Sequence, residues 1–259
     1  IFNMTTHIVI PDCQVRPGDN LNYLYWMGMY VAEVKPDVII NLGDFADMPS
    51  LSSYDIGKKS FEGRRYTDDV DIVKKAMDVF MIPILREQSR LITNRKKKWN
   101  PRMVLTSGNH CDRINRAIEN DSKLEGLISS KDLEYERYWE VVPFLEPIVI
   151  DNIAYCHYFT SGVMDRAISS ARMLITKCHM SCIAGHQQGR DVAYGKRADG
   201  KRITAILAGS CYEHDEPYIS HQGNSHWRGI IRLSEVNDGE FDECFVSLNY
   251  LKKKYDSKK

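Results

Sequence analysis

This chain lacks an excess of charge of either sign: 35 Lys and Arg are matched by 35 Asp and Glu, for a net charge of zero. A protein whose main task is to coat nucleic acid carries a basic surplus, so that class is set aside, while local basic patches stay open. No apolar run approaches the roughly 18 residues of a membrane span, so no membrane partner is expected. The first residues show no signal-peptide pattern. A disulfide framework is missing too. The seven cysteines, at 13, 111, 156, 178, 182, 211 and 244, are odd in number and scattered, which reads as reduced thiols in a cytoplasmic protein. There is no internal repeat, no low-complexity linker and no marked domain boundary. With 43% hydrophobic and 27% charged residues over 259 positions, disorder and coiled coil are set aside and 1–259 is read as one large α/β domain. Ile1, Phe2 and Asn3 precede a methionine and carry no weight.

Short apolar runs alternate with amphipathic stretches in the first half. Residues 6–11 read as a buried strand, 38–42 as a second and 103–106 as a third. A helix is predicted over about 21–34, punctuated by Pro36 and Asp37. Apolar residues at 70, 73, 77, 80, 84 and 91 predict a long helix over about 67–98, kinked or divided by Pro83. That alternation predicts a largely parallel sheet with crossover helices. In the second half, hairpins turn at Asp151-Asn152, Ala198-Asp199-Gly200 and Asn237-Asp238-Gly239. A helix over 165–177 and a strand over 181–184 lie among them. Three hairpins and a helix predict a second, mixed or antiparallel sheet packed on the first. The basic tail 252–259 is expected to be solvated or frayed.

Polar residues fall at the strand ends. Asp12 and Gln14 follow the first strand, Gly43-Asp44 the second and Gly108-Asn109-His110 the third. His157 ends a later strand, and Gly185-His186-Gln187-Gln188 ends another. The C-terminal edge of an α/β sheet is where loops leave a ligand crevice, so five such ends bring these side chains to one patch. Taken singly, each reads as a loop residue that caps a helix or closes a turn. As an ordered set, two carboxylates with several neutral nitrogen and oxygen donors suit a pair of divalent metals.

The five blocks resemble the calcineurin-like metallophosphoesterase superfamily, whose signature runs D-x-H, GD, GNH, H, GHxH. The match, Asp12-Cys13-Gln14 through Gln188, spans residues 12 to 188. The resemblance implies a four-layer α/β/β/α sandwich of two mixed sheets flanked by helices. It implies two divalent metal ions. One site would hold Asp12, Gln14 and Gln188 with a bridging Asp44, the other Asp44, Asn109, His157 and His186. Two family histidines are glutamine here, Gln14 and Gln188. An amide oxygen is a harder, weaker ligand than imidazole, so Mn2+ is expected first, with Mg2+ or Zn2+ as alternatives. His110 resembles the family's catalytic histidine beside a metal-activated hydroxide. Asp112 is a candidate to orient it and Arg113 to clamp phosphate, against the plainer reading of a helix-start carboxylate and a surface arginine.

The implied activity is hydrolysis of a phosphate ester, with three alternatives. The first is a phosphodiesterase or nuclease; the others are a phosphomonoesterase on a nucleotide or small metabolite, and a non-catalytic binding module. Compact members with glutamine in the first block are often phage-encoded, which makes nucleic acid or nucleotide the implied substrate and the host cytoplasm the implied compartment. The segment 58–66 carries Lys58, Lys59, Arg64 and Arg65 with Phe61 and Tyr66, a pattern that suits a nucleic-acid backbone and a stacked base, or else a solvated loop. His214, His221 and His226 lie in a polar, aromatic loop that either overhangs the site and contacts substrate or packs as plain surface. Cys13, Cys111 and Cys156 are read as space-fillers beside ligands, and His7 as a satisfied core or edge histidine.

Overall fold

A computed structural model describes residues 4–216, 223 and 225–256. Its strands are β1 (Thr5–Ile10), β2 (Val38–Asn41), β3 (Arg102–Thr106), β4 (Glu140–Val142), β5 (Ile148–Ile150), β6 (Ile153–Cys156), β7 (Thr160–Ser161), β8 (Arg166–Ala167), β9 (Ser181–Ala184), β10 (Arg190–Lys196), β11 (Arg202–Ala208), β12 (Gly229–Asn237) and β13 (Glu240–Ser247). The α-helices are α1 (Asn22–Val34), α2 (Tyr66–Thr93), α3 (Arg113–Asn120), α4 (Ala171–Cys178) and α5 (Leu248–Tyr255). One sheet has the order β13-β12-β1-β2-β3-β4 and the other β10-β11-β9-β6-β5. Both are mixed. The first is parallel from β1 to β4 and antiparallel at β12 and β13; the second is parallel only across β6, β9 and β11.

Strand alternation sorts the core into three layers of contact. Ile8, Ile10, Ile39 and Leu105 face α1, α2 and α5, packing on Leu24, Met27, Phe80 and Leu251. Their neighbours Val9, Ile40 and Val104 face the other sheet and meet Ile153, Tyr155 and Ile183. Ala154, Cys182 and Ala205, on the far face of that second sheet, carry Ala171 and Leu174 of α4. The result is an α/β/β/α sandwich, with helices on the two outer faces.

Several local expectations change. Pro83 does not divide α2, which runs unbroken through it. Its ring lies against α1 at Gly28, where a Cβ would sit 2.2 Å from the Phe80 carbonyl and 3.2 Å from Pro83 Cδ. The hairpins at 151–152, 198–200 and 237–239 all form, and Asp151 and Asn152 both take the positive φ a tight two-residue turn needs. The third hairpin, however, joins the first sheet: β12 pairs with β1, Val9 opposite Ile231. Helix α4 begins at Ala171, capped by the Ser170 hydroxyl, because residues 160–167 form the small β7–β8 hairpin. The basic tail is a helix through Tyr255, with Leu251 and Tyr255 buried and the Tyr255 hydroxyl donating to Glu33 of α1 at 2.8 Å. Among the described residues, no helix is long and apolar enough to cross a membrane.

Candidate metal centre

The loops after β1 and β2 continue the parallel pairing past the strands. Gln14 N donates to Asp44 O and Val15 N to Phe45 O, both at 2.8 Å, and Asp47 N returns to Val15 O at 2.9 Å. On the other side, Cys211 N donates to Asp12 O at 2.9 Å. Asp12 and Gln14 are thereby drawn to the edge where Asp44 lies, and all three side chains are buried. Gln14, Asp44 and His186 have φ of 44°, 46° and 64°, the left-handed region that costs a non-glycine residue about 1 kcal/mol or more. Two glycines of the motif exist for close approach. A Cβ on Gly108 would sit 2.1 Å from Asp44 Oδ1, and one on Gly185 would sit 2.6 Å from Asp12 Oδ1.

Four donor atoms converge. Asn109 Oδ1 lies 2.9 Å from His157 Nε2 and 2.8 Å from His186 Nδ1, and Asp44 Oδ2 lies 3.3 Å from the same Nε2. Ligand atoms of Asp44, His157 and His186 all fall within 4.8 Å of one another. His157 Nδ1 donates to the Leu42 carbonyl at 2.8 Å, which fixes the ring and turns Nε2 into the cluster. Lone pairs crowded this way need a positive charge among them. Burial would lower the His157 pKa, yet Asp44 and then Asp12 push it up to about 9, so without metal that charge is a proton. Burial would raise Asp44, but His157 and His110 hold it well below the usual carboxylate range. Burial and the neighbouring His157 draw His186 down to about 4, leaving its nitrogen free to ligate.

A second group of acceptors adjoins the first. Asp12 Oδ1 accepts from His186 N at 3.1 Å, whereas Asp12 Oδ2 and Gln14 Oε1 are buried with no hydrogen-bond partner among the described residues. An orphaned buried oxygen costs about 1–3 kcal/mol, and a cation held by both would satisfy the two. Burial pushes the Asp12 carboxyl up to about 7, against the pull of His157. The donor sets therefore fit divalent metal: nitrogen and oxygen at Asp44, Asn109, His157 and His186, oxygen alone at Asp12 and Gln14. Gln188 is half-buried in the same loop as His186, with its backbone carbonyl against Gly209.

His110 stands at the rim. Its N donates to Asp44 Oδ1 at 2.7 Å, its Nδ1 lies 2.7 Å from Asp47 Oδ1, and its Nε2 lies 3.9 Å from Asp44 Oδ2. The expected orienting residue, Asp112, instead bonds the Asn115 amide at 2.9 Å. Asp47 takes that role because it leaves the loop that carries Asp44, whereas Asp112 starts α3. Arg113 donates to the Asp47 carbonyl at 2.7 Å and lies 3.3 Å from His110 Nε2, so it braces the pair as well as facing the crevice. Burial works against charge on His110, but Asp44 and the Asp47 hydrogen bond outweigh it and hold its pKa above the usual value. Asp47 escaped the sequence reading; its place three residues after Asp44 was the available signal. So did Tyr158, whose ring centroid lies 4.8 Å from that of His186.

A crevice of 1100 Å³ opens at Asn109 and His110, and the segment after β2 reaches it through Lys58, Arg64 and Arg65. Arg64 is committed within the protein, to the Pro49 carbonyl and Asp55, each at 2.9 Å. Tyr66 gives its hydroxyl to Asp132 at 2.7 Å, and Phe61 lies under Arg64, so neither ring is placed as the expected base platform. His214 stacks on Tyr212 and is held by Asp19 at 3.5 Å and by Glu216 at 3.0 Å, so it stands behind Glu216, which lines the crevice. His226 bonds Ser210 at 2.8 Å. His221 lies outside the described residues. Cys13, Cys111 and Cys156 are buried free thiols, and His7 is a satisfied core histidine. No family model matches this chain, and a search of curated proteins finds no match.

Proposed function

We propose that this protein is a metal-dependent phosphoesterase that hydrolyses phosphodiester bonds, in the manner of the calcineurin-like metallophosphoesterases its motifs resemble. The observation that carries the reading is the convergence of Asp44, Asn109, His157 and His186, with Asn109 and the neighbouring His110 opening onto a crevice. These four side chains would hold one divalent cation; Asp12 and Gln14, with Asp44 between, would hold a second, Mn2+ first among the candidates. Bound there, such ions neutralise phosphoryl oxygens and lower the pKa of water.

The protein's own residues supply orientation and proton transfer. Asp47 accepts a hydrogen bond from His110 Nδ1–H, which leaves Nε2 facing the cluster. A phosphoryl oxygen entering between His110 Nε2 and Arg113 Nη2 would replace their 3.3 Å contact and accept from both. His110 then gives its proton to the departing oxygen, and its raised pKa suits it to arrive charged.

The deciding assay strips the protein of metal and resupplies Mn2+, Mg2+ or Zn2+. Turnover of methyl p-nitrophenyl phosphate is compared with that of p-nitrophenyl phosphate. Metal-restored diester cleavage supports the reading. Preference for the monoester makes the protein a phosphatase instead, and a folded protein inert with every metal makes it a binding module.

A further inference from the structure

The crevice that opens at His110 contains two groups that packing does not account for. Tyr54 lines it with 81% of its surface exposed, and no hydrogen bond or ring contact occupies that side chain among the described residues. Arg65 lines it too. Its only described partner is the Arg64 carbonyl at 3.0 Å, with no carboxylate in ion-pair range among the described residues. The other cations nearby are already spoken for. Lys58 pairs with Asp55 at 2.9 Å, and Arg16 lies 3.8 Å from Asp47 and 3.5 Å from Glu216.

An exposed ring and an unpaired guanidinium in one crevice match a planar base joined to a phosphate. Aromatic stacking accepts any base, and a guanidinium grips phosphate in bidentate fashion. The lining carries six cations and six carboxylates, so it has no basic surplus for a long duplex backbone, and Arg65 offers a grip for one flanking phosphate.

We propose that Tyr54 and Arg65 form a nucleotide subsite beside the candidate metal centre, Tyr54 stacking the base next to the scissile phosphate and Arg65 holding the following phosphate of a short single strand. This rests on the phosphoesterase reading for its catalytic half only.

The test uses three substrates on the metal-loaded full chain: methyl p-nitrophenyl phosphate, thymidine 5′-p-nitrophenyl phosphate and tetrathymidylate. Tyr54→Ala raises KM for the thymidine ester roughly five-fold or more while leaving the methyl ester alone, and Tyr54→Phe restores it. Arg65→Gln weakens use of tetrathymidylate but not of the thymidine ester, which carries no second phosphate. Unchanged KM for Tyr54→Ala, or an equal rise on both esters, overturns the subsite. A second readout needs no catalysis: anisotropy of fluorescein-labelled tetrathymidylate in EDTA. If the wild type cleaves neither ester, the phosphoesterase reading fails; weaker EDTA binding by Tyr54→Ala would still uphold the subsite, and equal binding would end it.

Discussion

Asp47 Oδ1 and His110 Nδ1 meet at 2.7 Å across the loops that follow two neighbouring parallel strands, β2 and β3. The contact joins a carboxylate on the Asp44 loop to the ring next to Asn109, so two of the candidate metal ligands and the proposed proton donor are set by the same two loops. Replacing Asp47 by Ala should lower kcat roughly ten-fold or more with metal content kept. The sign on pH follows from the pair. Asp47 helps hold the His110 pKa up, so its loss lowers that pKa and moves the alkaline limb of kcat to lower pH. Asp47→Asn, which can still accept from Nδ1–H, should recover much of the rate. A rate loss with an unmoved pH profile would leave Asp47 a merely structural residue.

Metal should stabilise the fold through the cluster. Mn2+ at about a hundred times its Kd adds about 2.7 kcal/mol by mass action, visible as a rise in Tm. His186→Ala removes a proposed ligand that sits in a strained, half-exposed loop, so it should abolish most of that rise at little cost to the metal-free Tm. Scanning fluorimetry with and without each metal decides it; an equal rise in wild type and variant would place the ion elsewhere.

The sequence carried the three parallel strands β1, β2 and β3 and the position of five loop motifs because both are local. A β-branched run followed by Gly-Asp or Gly-Asn-His marks a strand end, and Gly108 and Gly185 are needed wherever a carboxylate lies against the backbone. Asp151-Asn152 announces a tight hairpin for the same reason. What was hidden is long-range. Nothing in 229–247 says that β12 will pair with β1, and nothing near Asp47 says that His110, 63 residues on, will need it. The start of α4 was misplaced because residues 160–167 turn back on themselves in two-residue strands too short for a period to show. The basic tail looked solvated because its lysines outnumber its buried positions, yet Leu251 and Tyr255, four apart, share one helix face.

That tail yields a stability prediction. Leu251 is fully buried among α1 and the first sheet, so Leu251→Ala should cost about 2–5 kcal/mol. Lys253 points outward, and Lys253→Ala should stay within about 0.5 kcal/mol. Urea unfolding of both variants measures this. A Leu251→Ala protein as stable as the wild type would show that α5 is not part of the core.

His7 makes stability depend on pH. It sits on β1 between the sheets, its Nε2 3.0 Å from Asp151 Oδ2 and its Nδ1 2.7 Å from the Tyr155 hydroxyl. With Nε2–H donated to Asp151, Nδ1 accepts from Tyr155, and the neutral ring satisfies both partners. Burial lowers the His7 pKa, and the hydrogen bond and charge of Asp151 only partly oppose it. The unfolded chain therefore takes up the proton first, near pH 6.5. The contribution of the neutral ring is complete above that pH and is lost as pH falls from there towards the folded value, at up to about 1.4 kcal/mol per pH unit. His7→Gln cannot titrate, so its deficit relative to the wild type should shrink between pH 7.5 and 5.5. Urea midpoints at the two pH values, taken for both proteins, give the double difference; a deficit that stays constant or grows as the pH falls would mean that His7 is charged in the folded protein, with Asp151 prevailing over burial.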